Sequence, residues 1–188
     1  MQLEGSCCCK AVMFTVESPH PCPFMQCYCS ICRKTQGGGG FAINIGADYD
    51  SLQVEGEECV ASFSPMYTNH ETGVYETSPG KRHFCRQCGS GLWVWDPRWP
   101  ELVHPYASAI DTPLPTPPER HHIFLDSKPG WVSVPATDTD KHHNGYPDVG
   151  SLADWHEQHG RSADRRLAAA LYILIQIKVP SLSGLAEL

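Results

Sequence analysis

The chain has 188 residues, which is enough for one ordinary domain and too few for two of typical size. Its hydrophobic content of 41% and charged content of 19% are typical of a globular protein, and its 16 glycines and 16 prolines predict many turns and short elements. The net charge is −7, and the lysines and arginines are scattered along the chain. This composition disfavours a nucleic-acid partner, because a phosphate backbone would be repelled.

The body of the chain is predicted to be mainly β. Short apolar or β-branched segments, bounded by Gly, Pro or Asp, follow one another between residues 11 and 125. The predicted strands are, in chain order, AVMFTV (11–16), FAINIG (41–46), LQVEG (52–56), CVASF (59–63), GLWVW (91–95) and HIFL (122–125). TPLPTPP (112–118) is predicted to be a loop or an ordered crossing, because proline has no amide proton for a central strand.

The C-terminal part of the chain differs from this β-rich body. SLADW (151–155) indicates a short helix that begins after Ser151 as N-cap and ends at Gly160. The apolar run 167–177 has eleven residues, whereas a transmembrane helix needs about 20. We therefore expect no membrane span. We expect residues 1–135 to form one domain. Residues 136–188 are expected to pack either on this domain or on a second copy of the chain in a homodimer.

The cysteines indicate metal binding. The N-terminus, MQLEGSCCCK, has no apolar secretion signal, so we expect a cytoplasmic protein. Ten cysteines at short spacings in a reducing compartment favour zinc ligands over disulfides.

The first predicted zinc site is a closed structural one. Cys85 and Cys88, followed by Gly89, have the spacing of a zinc knuckle, which supplies two of the four ligands. Cys7 and Cys9 are alternate residues of an extended segment and therefore face the same way. Four thiolates would leave the Zn²⁺ with two negative charges in excess and no position for a further ligand.

The second predicted site is CYCSIC (27–32), in which Cys27, Cys29 and Cys32 have no obvious fourth partner. Three thiolates leave one tetrahedral position of a zinc ion for water or substrate, as in catalytic sites. The alternative is a second structural site completed by Cys22, Cys59 or a histidine.

Positive charge and bare backbone follow these thiols. Arg33 and Lys34 come directly after Cys32, and Gly38 and Gly39 lie within a tract of four glycines. We interpret all four residues as candidate contacts for a carboxylate-bearing substrate, since glycine lets a ligand approach backbone amides. The alternative is that they are ordinary solvated surface and a flexible loop.

Four blocks of sequence occur in an order that resembles one known family. They are G-S-C-x-C (5–9), C-x-C-S-x-C-R-K (27–34), R-x-F-C-x-x-C-G-S-x-L (82–92) and H-I-F-x-x-S-K-x-x-W (122–131). In these blocks the chain is similar to the glutathione-dependent formaldehyde-activating enzymes, a family that includes the centromere protein V group. The resemblance covers about residues 3–135 and implies a β-tent fold, in which small antiparallel sheets surround two zinc sites.

The resemblance also implies roles for the cysteines. Cys7, Cys9, Cys85 and Cys88 match the structural zinc ligands, and Cys27, Cys29 and Cys32 match the active-site zinc ligands. The chain departs from the family pattern at Lys10, where glycine is usual, and at Tyr28, where histidine is common.

The activity that the resemblance implies is that of a zinc-dependent carbon–sulfur lyase acting on a thiol adduct. The candidate substrates are glutathione with formaldehyde, as in an S-(hydroxymethyl)glutathione synthase, or another glutathione conjugate. The sequence does not distinguish addition from elimination. The alternative is a non-catalytic zinc-binding interaction module of the centromere protein V type. Such a module is expected to carry a basic tail, which the net charge of −7 and the apolar tail disfavour.

Overall fold

The computed structural model describes residues 1–22, 24–36, 38–69, 72–147 and 152–159. These residues form many short strands and two short α-helices, which confirms the mainly β prediction. The strands are β1 (Gln2–Ser6), β2 (Met13–Glu17), β3 (Phe24–Cys27), β4 (Ala42–Asn44), β5 (Ala47–Asp48), β6 (Gln53–Glu55), β7 (Val60–Phe63), β8 (Met66–Thr68), β9 (Tyr75–Thr77), β10 (Lys81–Cys85), β11 (Gly91–Trp95), β12 (Leu102–Pro105), β13 (Arg120–Ile123) and β14 (Lys141–His142). The helices are α1 (Ser30–Gln36) and α2 (Leu152–Gln158).

The strands assemble into four small sheets. Three of them are antiparallel, with the orders β1-β2-β6, β5-β12-β11-β10-β7 and β8-β9. The fourth has the order β14-β13-β3-β4, and in it β13 pairs in parallel with both β3 and β14. The predicted small antiparallel sheets are therefore confirmed, and β13 adds two parallel pairings to them.

Alternation of apolar and polar residues explains why the first sheet packs on the second. Leu3 of β1 and Val16 of β2 are paired and buried, while their neighbours along each strand are more exposed. Phe14 is paired with Gly5, where a Cβ atom would lie 2.4 Å from the Phe14 ring. Glycine therefore lets Phe14 occupy this space and contact the edge of Trp93 on β11, with ring centroids 5.3 Å apart.

The five-stranded sheet also connects to the sheet that contains β3. The Ile45 amide donates to the Pro105 carbonyl at 2.9 Å, and Asn44 pairs with Tyr106 in an isolated antiparallel bridge. Cysteines belong to the same core as the aliphatic residues, since Cys7, Cys27, Cys32 and Cys85 are all buried. The thiols are thus placed by the packing of the sheets.

The predicted strands coincide with observed ones, but the prediction was incomplete. All six contribute residues to β2, β4, β6, β7, β11 and β13, and residues 112–118 form no strand. The charged strand β10 was not predicted. Helix α1 was also missed, although it contains Cys32.

The predicted C-terminal helix is present as α2, while its proposed N-cap Ser151 and the run 167–177 lie outside the described residues. Trp155 is buried, and its indole N–H donates to Glu119. His156 Nε2 lies 2.7 Å from the carbonyl oxygen of Cys22. The helix therefore packs on the β-rich body. Within the described residues, none of the helices has both the length and the apolar character needed to cross a membrane.

Candidate metal centres

A four-thiol cluster forms between the N-terminus and the hairpin of β10 and β11. Cys7 follows β1, Cys85 ends β10, and the sulfur atoms of these two residues and of Cys9 and Cys88 all lie within 4.8 Å of one another. Cys7 and Cys85 are buried, whereas Cys9 and Cys88 are exposed. The structure thus brings together the four cysteines predicted to form a closed site.

Two tight turns direct these sulfur atoms inward. Gly89 has φ +76°, and its amide donates to the Cys85 carbonyl at 2.8 Å. Lys10 occupies the corresponding position of the first turn, with φ +61°, and its amide donates to the Cys7 carbonyl at 3.0 Å. Lys10 therefore adopts the left-handed conformation that favours the glycine usual at this position. Its Nζ atom lies 3.2 Å from Asp111 Oδ2.

The spacing of the sulfur atoms fits a tetrahedral ion. Zinc–sulfur bonds of about 2.3 Å place the sulfurs of a tetrahedral site about 3.8 Å apart. The Cys7 and Cys9 sulfurs are 3.5 Å apart, and those of Cys9 and Cys85 are 3.8 Å apart. This cluster can therefore hold a metal ion, and its donor set is compatible with zinc.

A three-thiol cluster forms where β3 leads into α1. Cys27 ends β3, Cys29 immediately precedes α1, and Cys32 lies in its first turn, with the three sulfur atoms within 4.8 Å of one another. Cys27 and Cys32 are buried, and Cys29 is half-exposed. The Tyr28 amide donates to the Ile123 carbonyl at 3.0 Å, which fixes the turn to β13. The sequence predicted this cluster but not the helix that completes it.

Among the described residues, no fourth side chain joins this cluster as a possible metal ligand. The cluster consists of the three cysteines. Cys59, one proposed alternative, accepts a hydrogen bond from Gln87 Nε2 at 3.0 Å, beside the four-thiol cluster. Cys22, another, lies where its carbonyl contacts α2. The donor set is thus three sulfurs, which is compatible with a tetrahedral ion that has one position for another ligand.

The three thiols share protons unequally. Hydrogen bonds from Cys27 and Cys32 stabilise the Cys29 thiolate and lower the pKa of Cys29 strongly. The hydrogen bond to Cys29, together with burial, raises the pKa of Cys27 well above its ordinary value. The cluster therefore stabilises a thiolate at its most accessible member, which suits binding of a cation.

Three polar residues beside this cluster were not predicted. Asn44 Nδ2 lies 4.0 Å from Cys32 Sγ. Tyr106, the bridge partner of Asn44, is buried. Burial raises the pKa of Tyr106 to about 12, an effect that the positive charge of Arg82 opposes. Arg82 lies within the R-x-F-C block, so its motif was a signal that could have found it. Asn44 and Tyr106 lie in largely apolar segments that gave no such signal.

The predicted substrate contacts lie on and after α1. Arg33 is half-buried, and Lys34 is exposed. Gly38 and Gly39 form an exposed turn after α1. The seven residues of α1 span about 10 Å and separate this turn from Cys29. The neighbouring Gly40 has φ +77° and packs so closely against Val132 that a Cβ atom would lie 2.4 Å from it.

Tyr28, which replaces the histidine common in similar sequences, belongs to a buried hydrogen-bonded chain. Its hydroxyl lies 2.9 Å from His122 Nδ1, and His122 Nε2 lies 3.5 Å from Asp140 Oδ2. Tyr28, His122 and Asp140 are all buried. The phenol thus connects the turn between Cys27 and Cys29 to β13.

The chain is similar to one described family and to proteins of two organisms. The profile of the family described as glutathione-dependent formaldehyde-activating enzyme matches residues 2–127. A Halomonas elongata protein that is provisionally named as a glutathione-dependent formaldehyde-activating enzyme is 57% identical over 160 residues, which cover 85% of this chain and 98% of the relative. A crystal structure of a Rhodobacter sphaeroides protein is 26% identical, covers 61% of this chain and 92% of its own, and gives a TM-score of 0.44.

Proposed function

Because the chain belongs to the glutathione-dependent formaldehyde-activating enzyme family, we propose that it is a zinc-dependent carbon–sulfur lyase. Its proposed reaction joins glutathione and formaldehyde or cleaves their adduct, S-(hydroxymethyl)glutathione. The observation that carries this proposal is the three-thiol cluster with a half-exposed member, Cys29, which the chain has in addition to a four-thiol cluster.

Each cluster has its own role in this proposal. Cys7, Cys9, Cys85 and Cys88 hold a structural zinc ion in a closed site, and Cys27, Cys29 and Cys32 hold a second one. When bound at the second cluster, zinc supplies a positive charge that lowers the pKa of an incoming thiol.

The other residues bind and orient the substrate. Arg33 and Lys34 attract the carboxylates of glutathione, and the amides of Gly38 and Gly39 are candidate contacts for its backbone. The Tyr28–His122 hydrogen bond keeps the turn between Cys27 and Cys29 in place. Since the same groups act in both directions, the enzyme catalyses addition and elimination alike.

A paired measurement on wild type and Cys29→Ser tests the proposal. Wild type should contain about two zinc ions per chain by atomic emission and should accelerate adduct formation above the uncatalysed rate. Cys29→Ser should contain about one zinc ion fewer and lose this acceleration. Cys8→Ser is the matched control, because Cys8 is an exposed thiol that belongs to neither cluster.

Wild type that contains two zinc ions, yet neither binds glutathione nor accelerates the reaction, would contradict the proposal. That result would favour the non-catalytic interaction module.

A further inference from the structure

Buried polar atoms without partners surround the three-thiol cluster. Among the described residues, they include the hydroxyl oxygen of Tyr106, the Oδ1 atom of Asn44 and the Nε atom of Arg82. Tyr106 is only 1% exposed. A buried polar group without a hydrogen bond costs about 1–3 kcal/mol, so three of them beside one cluster require an explanation.

Strand pairing places the three residues on one side of the adjoining sheets. Arg82 is paired with Val94, and Val94 with His104, so these residues form one row across β10, β11 and β12. Tyr106 comes two residues after His104 and therefore shares its face of the sheet. Asn44 faces Tyr106 across their bridge and contacts Cys32 through Nδ2. This face thus presents Asn44, Arg82 and Tyr106 beside the cluster.

The Tyr106 hydroxyl is available to a ligand. Thr35 lies close enough to lower the pKa of Tyr106 slightly, but its hydroxyl donates to the carbonyls of Ile31 and Cys32, at 3.0 Å and 3.1 Å, and among the described residues the geometry gives the Tyr106 hydroxyl no hydrogen-bond partner. With a pKa raised to about 12 by burial, the phenol keeps its proton at neutral pH. It is therefore a preorganised donor whose acceptor does not come from the described residues.

We infer that the Tyr106 hydroxyl binds the oxygen atom of the aldehyde and of the thiol adduct, and that Asn44 and Arg82 complete this oxygen-binding pocket. The inference rests on the proposed function and deepens it by assigning the part of the site that recognises oxygen. An adduct hydroxyl placed next to Cys32 would accept hydrogen bonds from Tyr106 and Arg82 and donate one to Asn44 Oδ1, whereas the aldehyde oxygen would only accept, from Tyr106 and Arg82.

The pocket would act on the bond-forming step. The thiolate sulfur attacks the carbonyl carbon, a carbon–sulfur bond forms, and the π electron pair of the carbonyl moves to oxygen, which Tyr106 stabilises by its hydrogen bond. The oxygen then takes a proton from water, which balances the proton that the thiol released. Removal of one such donor typically lowers kcat by about 10²–10³-fold.

Tyr106→Phe is the first test. Because it removes a buried hydroxyl that has no partner, it should leave the zinc content and the unfolding temperature equal to or above those of wild type. It should lower kcat by about 100-fold and change the KM for glutathione little. Tyr49→Phe is the matched control, since Tyr49 is exposed and packs against Trp95.

A calorimetric comparison provides a readout that is independent of turnover. The ligands are S-(hydroxymethyl)glutathione, maintained by excess formaldehyde, and S-ethylglutathione, in which a methyl group replaces the hydroxyl. Wild type should prefer the hydroxymethyl ligand by about tenfold, and Tyr106→Phe should lose this preference. Asn44→Leu, which removes the amide at similar volume, should lose part of it and serves as a second variant.

The outcomes separate this inference from the proposed function. If wild type turns over and Tyr106→Phe keeps both its rate and its ligand preference, the oxygen-binding pocket is wrong and the proposed function stands. If wild type neither binds glutathione nor turns over, the proposed function and this inference are overturned together.

Discussion

Loss of a metal ion from the four-thiol cluster should destabilise the protein more than loss of one from the three-thiol cluster. We predict that Cys88→Ser and Cys29→Ser each remove about one zinc ion, because each removes one sulfur from a cluster. The difference lies in the unfolded chain. An ion that also binds the unfolded state contributes less to folding stability, and only ligands close in sequence can bind it there.

The magnitude follows from the sequence separation of the ligands. Cys9 and Cys85 are 76 residues apart, whereas Cys29 and Cys32 are 3 apart. Since the closure cost grows as 1.5 RT times the logarithm of loop length, the unfolded chain needs about 3 kcal/mol more to bring the distant pair together. For a chain of this size that difference corresponds to roughly 10 °C in unfolding temperature.

Thermal unfolding and zinc content, measured on both variants and wild type, check this prediction. Cys88→Ser should unfold about 10 °C below Cys29→Ser. Cys8→Ser should remain within about 0.5 kcal/mol of wild type, because its thiol is exposed and lies outside both clusters. Equal destabilisation by the two ligand variants would refute the reasoning and indicate that both sites are structural.

Three further predictions concern binding, backbone conformation and pH. Replacing Arg33 and Lys34 with Ala should weaken glutathione binding in calorimetry without changing the zinc content. The difference in affinity should shrink at high salt, since the Debye length is about 8 Å at physiological ionic strength. Equal affinities of wild type and the double variant would contradict a binding role. Gly56→Ala should lower the free energy of unfolding in urea by on the order of 3 kcal/mol, because φ of Gly56 is +77° and a Cβ atom would lie 1.9 Å from the Ala11 carbonyl oxygen. A variant as stable as wild type would show that the turn relaxes. Desolvation lowers the pKa of His104 below 6.5, so the unfolded state binds the proton more readily and stability should fall as pH decreases through roughly 6.5. His104→Gln should flatten this dependence between roughly pH 6.5 and 5, and an unchanged slope would exclude His104 as its source.

The elements that the sequence predicted are those whose signals are local. Segments such as GLWVW have the apolar and β-branched composition of a strand, and the knuckle at Cys85 and Cys88 is defined by four consecutive residues. Each of these signals needed no knowledge of distant contacts, and each coincides with the structure. Cys7 and Cys9 also lie together as predicted, but a tight turn brings them there and not the extended segment that the prediction assumed.

The missed elements depend on tertiary contacts. Strand β10 begins with Lys81, Arg82 and His83, a polar start whose β conformation is supported by pairing with β7 and β11 on both sides. Helix α1 has only seven residues and no acidic residue in its first turn, so local propensity indicated it weakly. Its position between β3 and β4 is a property of the fold.

The polar surroundings of the three-thiol cluster were missed for the same reason. Asn44 and Tyr106 meet only because β4 and β12 belong to neighbouring sheets that this bridge joins. The Tyr28–His122 hydrogen bond likewise joins residues 94 positions apart. A sequence reveals ligands at short spacing, whereas the groups that orient a substrate are collected from several strands.

The two clusters differ in what holds their cysteines in place. In the four-thiol cluster, Cys7 follows a strand of one sheet and Cys85 ends a strand of another, so an ion bound there would fix the two sheets to each other. In the three-thiol cluster, all three ligands come from one short segment, which β3–β13 pairing and the Tyr28–His122 hydrogen bond hold in place. Because these contacts do not depend on the ion, the proposed exchange of substrate beside Cys29 would leave the sheets in place.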